Sequence, residues 1–259
     1  MPSTRKDWRA ALGAWIMRIM DKRFSFWSFL ALLLALIGPL VVAIAGTGAA
    51  PPSLSGHAVG VAAISLTVIM AFAVSILVDD CRFRDLGFAQ VSWWSVPIGL
   101  ALAAFFIGIF GPLANWGLTW LGRDGFEEGL HRIANFPTWV LILTIFVVAP
   151  AEELLYRAYA IERLGALIGS RWTAGVVSLS VFFLTHVPMW GWAVALTTIV
   201  SGGLVTIVYL VRADVVALVT AHVITDLSGL VIAPHLVRWP LPDMHMASCG
   251  RPAHNRPRR

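Results

Sequence analysis

Two adjacent glutamates, two histidines and an aspartate stand inside stretches of sequence that are otherwise apolar. Charge in hydrocarbon costs roughly 2.5–3.5 kcal/mol for a central Asp, Lys or Arg, so each such group calls for a reason. In Ala-Glu-Glu-Leu-Leu-Tyr-Arg, residues 151–157, Glu153 and Arg157 are four apart and can pair along one helix face. Glu152 lies about 100° round the helix and has no cation at helical spacing. A carboxylate without such a partner is free to take a proton from water as a general base. At a membrane surface the same three residues would simply be solvated, and spacing alone leaves both readings open. Pro150, just upstream, is expected to kink the helix and open a wet pocket around Glu152.

Phe182 and His186 stand four apart in Val-Phe-Phe-Leu-Thr-His, deep in an apolar run. A lone histidine there is more often a hydrogen-bonded packing residue than a catalyst, and Phe182 reads as packing beside it. His222 and Asp226 are also four apart. At that spacing a carboxylate can hold an imidazole in one tautomer, or both can ligate one metal. Two ionisable residues on one face of a membrane helix must point toward protein or water, and the nearest comparable groups are His186 and Glu152. His57, His131, His235, His245 and His254 fall near span ends, in loops or in the tail, and receive no role.

The elements that must position these groups follow from composition. Of 259 residues 58% are hydrophobic and 13% charged, against about 45–50% and about 25% in a soluble domain. That excludes a soluble globular domain, a disordered chain, a collagen and a coiled coil. Two cysteines far apart, Cys81 and Cys249, give neither a disulfide framework nor a thiolate zinc site. A net charge of +5 could point to nucleic acid in a soluble protein; here it is read as membrane topology.

Windows of roughly 20 apolar residues mark transmembrane helices. They fall near 26–46, 57–78, 93–114, 136–156, 172–188, 191–211 and 214–234. The fold class expected is all-α: a polytopic membrane helix bundle of about seven spans, or eight. The chain divides into a basic amino-terminal segment (1–25), three amino-terminal spans (26–114), a four-helix core (136–234) and an Arg/Pro-rich tail (235–259). The first three spans hold almost no ionisable groups, with Trp93, Trp94, Trp116 and Trp120 as interfacial aromatics.

Arg5, Lys6, Arg9, Arg18, Lys22 and Arg23 precede the first span and place the amino terminus in the cytoplasm. Arg82, Arg84, Arg157, Arg163 and Arg171 then fall inside as well. An odd number of spans leaves the tail outside although it holds Arg251, Arg256, Arg258 and Arg259, so either the tail is an exception or the count is off by one. An excess of Arg over Lys, with much Ala and Trp, fits a GC-rich bacterial genome and hence a bacterial cytoplasmic membrane.

Glu152-Glu153-xxx-Arg157, Phe182-xxx-His186 and His222-xxx-Asp226, in that order on three helices, resemble the CAAX protease and bacteriocin-processing family of intramembrane endopeptidases, also called the Abi family, with the type II CAAX prenyl endopeptidases among its members. The resemblance covers roughly 136–230. It implies a helical bundle with a water-accessible cavity and peptide-bond hydrolysis in or near the membrane. It further implies that Glu152 is catalytic, that Glu153 and Arg157 support it, that Glu152 with His186 activates a water, and that His222 with the group four residues on stabilises the oxyanion. The prenyl endopeptidases carry Asn where this chain has Asp226, so Asp226 is read as orienting His222, as a neutral acid, or as a metal ligand. A Glu152, His186, His222, Asp226 set has the donors for zinc. Glutamate-activated water is favoured over a metal, because no HExxH helix is present and a metal would consume the base.

The implied partners are the lipid bilayer and a membrane-anchored protein or peptide substrate, with no nucleic acid. A proton-coupled transporter would use the same residues as a relay, but it needs a polar path to both surfaces that the first three spans do not supply. A catalytically silent scaffold or immunity protein is the third reading, and it would keep its function without Glu152.

Overall fold

The computed structural model describes residues 25–48, 54–123, 125–126, 129–130 and 136–236. Its long elements are α1 (Phe26–Gly48), α2 (Leu54–Leu77), α3 (Ser95–Trp120), α4 (Thr138–Ile168), α5 (Arg171–Arg212) and α6 (Val215–Ile232), with no strand among the described residues. All six are long and apolar enough to cross a bilayer. The protein is an integral membrane protein. Large apolar side chains such as Phe29, Leu66, Ile109 and Val211 lie exposed on its outside, while Ala35, Ala158, Ala174 and Ala217 are buried within. That is the pattern expected where lipid is the solvent and small residues let helices approach.

At 42 residues α5 is about twice the length of a crossing. It breaks at Gly191, whose φ of 72° and ψ of 166° are open to glycine and strained for other residues. Its two arms run antiparallel. A Cβ added at Gly175 would lie 3.1 Å from Leu210 and 3.2 Å from Thr206, whereas a straight helix would hold residues 175 and 206 roughly 46 Å apart. The windows at 172–188 and 191–211 are therefore the arms of one hairpin, and the six helices contain seven segments of crossing length.

The structure differs from the expected spans at two places. The fourth was expected to end near 156, but α4 continues to Ile168 with Arg157 and Arg163 buried in the bundle. The reason is pairing: Arg157 meets Glu153, and Arg163 meets Asp79 from the end of α2. A hydropathy window registers the charge and not its partner. The third span likewise runs to Trp120, so the loop that follows begins at Leu121 and not at 115.

Pro150 stands inside α4 without ending it. Four residues later the helix widens into a π-helical segment, Leu154–Tyr159, whose close is marked by the Ala160 N–H bonding back to the Leu155 carbonyl. Such bulges shift the register of the side chains beyond them and recur at functional sites. Here the widened turn is fully packed: Leu155, Tyr156, Ala158 and Tyr159 expose almost nothing.

Polar contacts tie the helices together where α4 ends and α5 begins. Asp79 accepts from Arg163 and Ser28, and a second Arg163 nitrogen donates to Cys81 Sγ at 3.0 Å. Arg171 and the Tyr209 hydroxyl both donate to Glu162 Oε1, at 2.5 and 2.9 Å. The Ser95 hydroxyl donates to Asp214 Oδ2 at 2.8 Å, while the other Asp214 oxygen caps α6 by accepting from the Ala217 N–H. This last link fixes α3 against α6. The two helices then run so close that a Cβ at Gly99 would lie 2.5 Å from the Ala217 carbonyl oxygen. The first three spans are thus the frame that holds α4, α5 and α6 in place.

Candidate active site

The two glutamates have opposite environments, as their 100° separation requires. Glu153 is buried and Glu152 is about one-fifth exposed. Glu153 Oε1 accepts two hydrogen bonds, from Arg157 Nη1 at 3.1 Å and from His222 Nδ1 at 2.9 Å. The intrahelical pair read from the spacing is present, and α6 supplies a third member to it. His222 spends its Nδ1–H on Glu153, which fixes the ring and turns Nε2 toward the open side.

Two further carboxylates converge on that nitrogen. Glu152 Oε2 lies 3.8 Å from His222 Nε2, and Asp226 Oδ2 lies 3.6 Å from it. Glu152 is therefore without a cation on its own helix but faces an imidazole across the bundle. Asp226 sits one turn beyond His222, about one-third exposed, on the widening side of the site. The last residues of α6, from Leu227 to Ile232, form another π-helical segment that continues directly from Asp226.

α5 closes the remaining wall. Its first arm brings Phe182 beneath Arg157, whose guanidinium carbon stands 4.2 Å over the ring centre; a desolvated cation on an aromatic face is worth up to about 2 kcal/mol. Phe182 also meets the Tyr156 ring edge-on at 5.2 Å and the His186 ring at 4.4 Å. The Phe182 ring packs against the guanidinium that holds Glu153. His186 Nδ1 donates to the Phe182 carbonyl at 2.8 Å, which in the neutral ring leaves Nε2 without a proton. His186 makes no hydrogen bond to Glu152, Glu153, His222 or Asp226, but it lies within electrostatic reach of His222 and Asp226. The structure thus brings Glu152, Glu153, Arg157, His222 and Asp226 into one cluster, with Phe182 and His186 on its flank.

Among the described residues, no group of three or more His, Cys, Asp or Glu side chains is arranged to hold a metal ion. His222 and His186 each commit Nδ1 to an acceptor and could each offer Nε2, as metal-binding histidines do. As placed, however, Glu152 and Asp226 face the His222 ring and the four donors are not gathered about a common point, so they do not fit a zinc ion.

Three features escaped the sequence reading. His57, given no role, bonds through Nε2 to the Thr144 hydroxyl at 2.7 Å and docks α2 on α4. Asp79, Glu162 and Asp214 look like loop-edge charges in sequence, yet the side chains of Asp79 and Asp214 are wholly buried. Gly202 packs its bare backbone against Arg157; the Gly202-Gly203 pair inside an apolar run was the available signal, since paired glycines in a membrane helix mark close approach. No curated protein and no solved structure matches the chain. Residues 134–228, which carry all seven of the side chains singled out above, match the family model of the type II CAAX prenyl endopeptidases, Rce1-like, and it is to that family that this part of the chain is similar.

Proposed function

We propose that the protein is an intramembrane endopeptidase that hydrolyses a peptide bond in a membrane-associated protein or peptide. The observation that carries this reading is the convergence of Glu152 and Asp226 on the Nε2 of His222, an imidazole already fixed through Nδ1 by Glu153. A base, an oriented imidazole and a partly open wall between them are what addition of water to an amide requires. The family match of residues 134–228 supports a protease.

In the proposed reaction the Glu152 carboxylate, assisted by His186, takes a proton from water as the water oxygen bonds to the scissile carbonyl carbon. The oxyanion that forms is met by His222 as the imidazolium, which keeps its Nδ1 proton on Glu153 and donates a second hydrogen bond from Nε2. Asp226, an acid where an amide could have donated, serves to orient and charge-balance that imidazole and not as an oxyanion donor. The C–N bond then breaks as the proton held by Glu152 passes to the leaving nitrogen, and Glu152 is returned as a carboxylate. Arg157 keeps Glu153 ionised and in place, so that Glu153 holds His222 and takes no proton from water.

A transporter relay finds less support. It needs a polar path past the site, and the next turns of α4 toward the arginine end, Leu155 to Ile161, expose 1% or less of each side chain. Arg82, Arg84, Arg163, Arg171 and Arg212 all lie at or beside the ends of helices that meet there, and in the sequence six further basic residues precede α1. This supports an orientation with that end, and the amino terminus, in the cytoplasm of a bacterium.

The test is cleavage of a membrane-tethered peptide library by the detergent-purified protein, comparing wild type with Glu152→Gln, His186→Gln and His222→Gln, each with and without a chelator. Cleavage abolished by the substitutions and retained with chelator is expected. Loss with chelator and rescue by zinc would replace glutamate-activated water with a metal mechanism. A wild type that cuts nothing, while Glu152→Gln keeps its cellular function, would make the protein a scaffold.

A further inference from the structure

We propose that Gly202, on the return arm of α5, is a positioning residue of this site: by carrying no side chain it sets where the Arg157 guanidinium stands, and through Glu153 where the His222 imidazole stands. The activity readout of this proposal rests on the endopeptidase reading; its structural readout does not.

A Cβ added at Gly202 would lie 3.3 Å from Arg157 Nη2, 3.1 Å from Leu179 Cδ1 and 3.4 Å from Phe182 Cδ1. The end of an arginine usually swings away from such a contact at little cost. This one is enclosed. Arg157 is 1% exposed, with Phe182 against one face and Glu153 Oε1 at 3.1 Å. A displacement of a few tenths of an ångström must therefore lengthen the bond to Glu153 or push on Phe182. Glu153 Oε1 is shared with His222 Nδ1, so the shift passes to the imidazole whose other nitrogen faces Glu152 and Asp226.

Two neighbouring glycines separate this role from ordinary helix packing. At Gly203 a Cβ would meet Leu179 at 3.6 Å, a normal contact, and nothing of the site. At Gly175 it would meet Leu210 at 3.1 Å and Thr206 at 3.2 Å, as tight as at Gly202 but toward the arginine end and away from Arg157. Gly175 thus reports what crowding the hairpin does by itself.

The experiment compares Gly202→Ala, Gly203→Ala and Gly175→Ala in the full-length protein in micelles. Histidine ring nitrogens are followed by NMR after ¹⁵N-histidine labelling, with the His222 signals assigned by their loss in His222→Gln. Gly202→Ala is expected to move the His222 ring resonances, to lower kcat on a cleaved peptide on the order of 10-fold with KM little changed, and to displace the pH profile. Gly175→Ala should lower the melting temperature without moving those resonances, and Gly203→Ala should do neither. His222 resonances unchanged in Gly202→Ala, or moved equally by Gly175→Ala, would overturn the proposal. If Gly202→Ala does not fold, Gly202→Ala with Leu179→Ala removes the 3.1 Å contact and keeps the one to Arg157; displaced His222 resonances support the proposal there, and wild-type ones overturn it. A protein that cuts no peptide would defeat the endopeptidase reading while the ring resonances still decide the role of Gly202.

Discussion

Glu153 on α4 and His222 on α6, 69 positions apart in the chain, meet through a single oxygen: Glu153 Oε1 accepts from His222 Nδ1 at 2.9 Å and from Arg157 at 3.1 Å. In the proposed reaction this makes the second glutamate of the pair a clamp and leaves the part of base to the first. The first, Glu152, is left facing the outer nitrogen of the imidazole that the second one holds.

Removing the cation from this clamp strands a buried carboxylate. Arg157→Met should destabilise the protein by about 3–5 kcal/mol, and Glu153→Gln combined with Arg157→Met should recover a good part of the loss, because the burden is the unpaired charge and not the missing bond. Unfolding in detergent, followed by circular dichroism, reads both. Equal loss in single and double variants would show that packing of the guanidinium on Phe182 is what matters.

Glu152 and Glu153 should separate into activity and stability. Glu152 is partly open and makes no hydrogen bond within the bundle, so Glu152→Gln is expected to keep the wild-type melting temperature while peptide cleavage falls about 10²–10⁴-fold, the usual contribution of a general base. Glu153→Gln should lower both. Cleavage surviving in Glu152→Gln would assign the base elsewhere.

The turn of the α5 hairpin depends on backbone freedom. Among the described residues no atom lies within 4 Å of a Cβ placed at Gly191, so Gly191→Ala meets no clash there, yet it forces alanine to a φ of 72°. A loss of about 1–3 kcal/mol is expected from that strain alone. Gly117→Ala, equally uncrowded but within a helix, should be neutral or slightly stabilising. Thermal unfolding of the two variants side by side decides it.

Cys81 lies beyond the end of α2, where burial pushes its thiol pKa up and the Arg163 guanidinium only partly opposes the shift. A raised pKa means less thiolate at any pH below it. With Cys249→Ser leaving one thiol, alkylation at pH 7 should be slower than that of a free cysteine peptide and should keep rising further into the alkaline range. A rate at pH 7 equal to the peptide's would mean that Arg163 prevails.

Much of this protein is legible in the order of its residues, because the bilayer imposes simple rules. Hydrocarbon admits only helices here, so composition and window length yield the all-helical bundle and the approximate spans. Charge in hydrocarbon is costly enough that Glu152, Glu153, His186, His222 and Asp226 stand out without any model of how they meet. Local spacing yields what one helix decides by itself: that Glu153 pairs with Arg157 and that His222 and Asp226 share a face. What tertiary structure alone decided are the relations between helices. Sequence spacing carries no information on which carboxylate an imidazole 69 residues away will choose, nor on Asp79 cancelling Arg163 so that α4 can run on to Ile168. Nor does it say that the two arms of α5 fold back at Gly191 to lay Gly202 against Arg157. Those pairings follow from where the packed helices place their side chains, and a buried charge takes whichever partner the packing brings within a hydrogen bond.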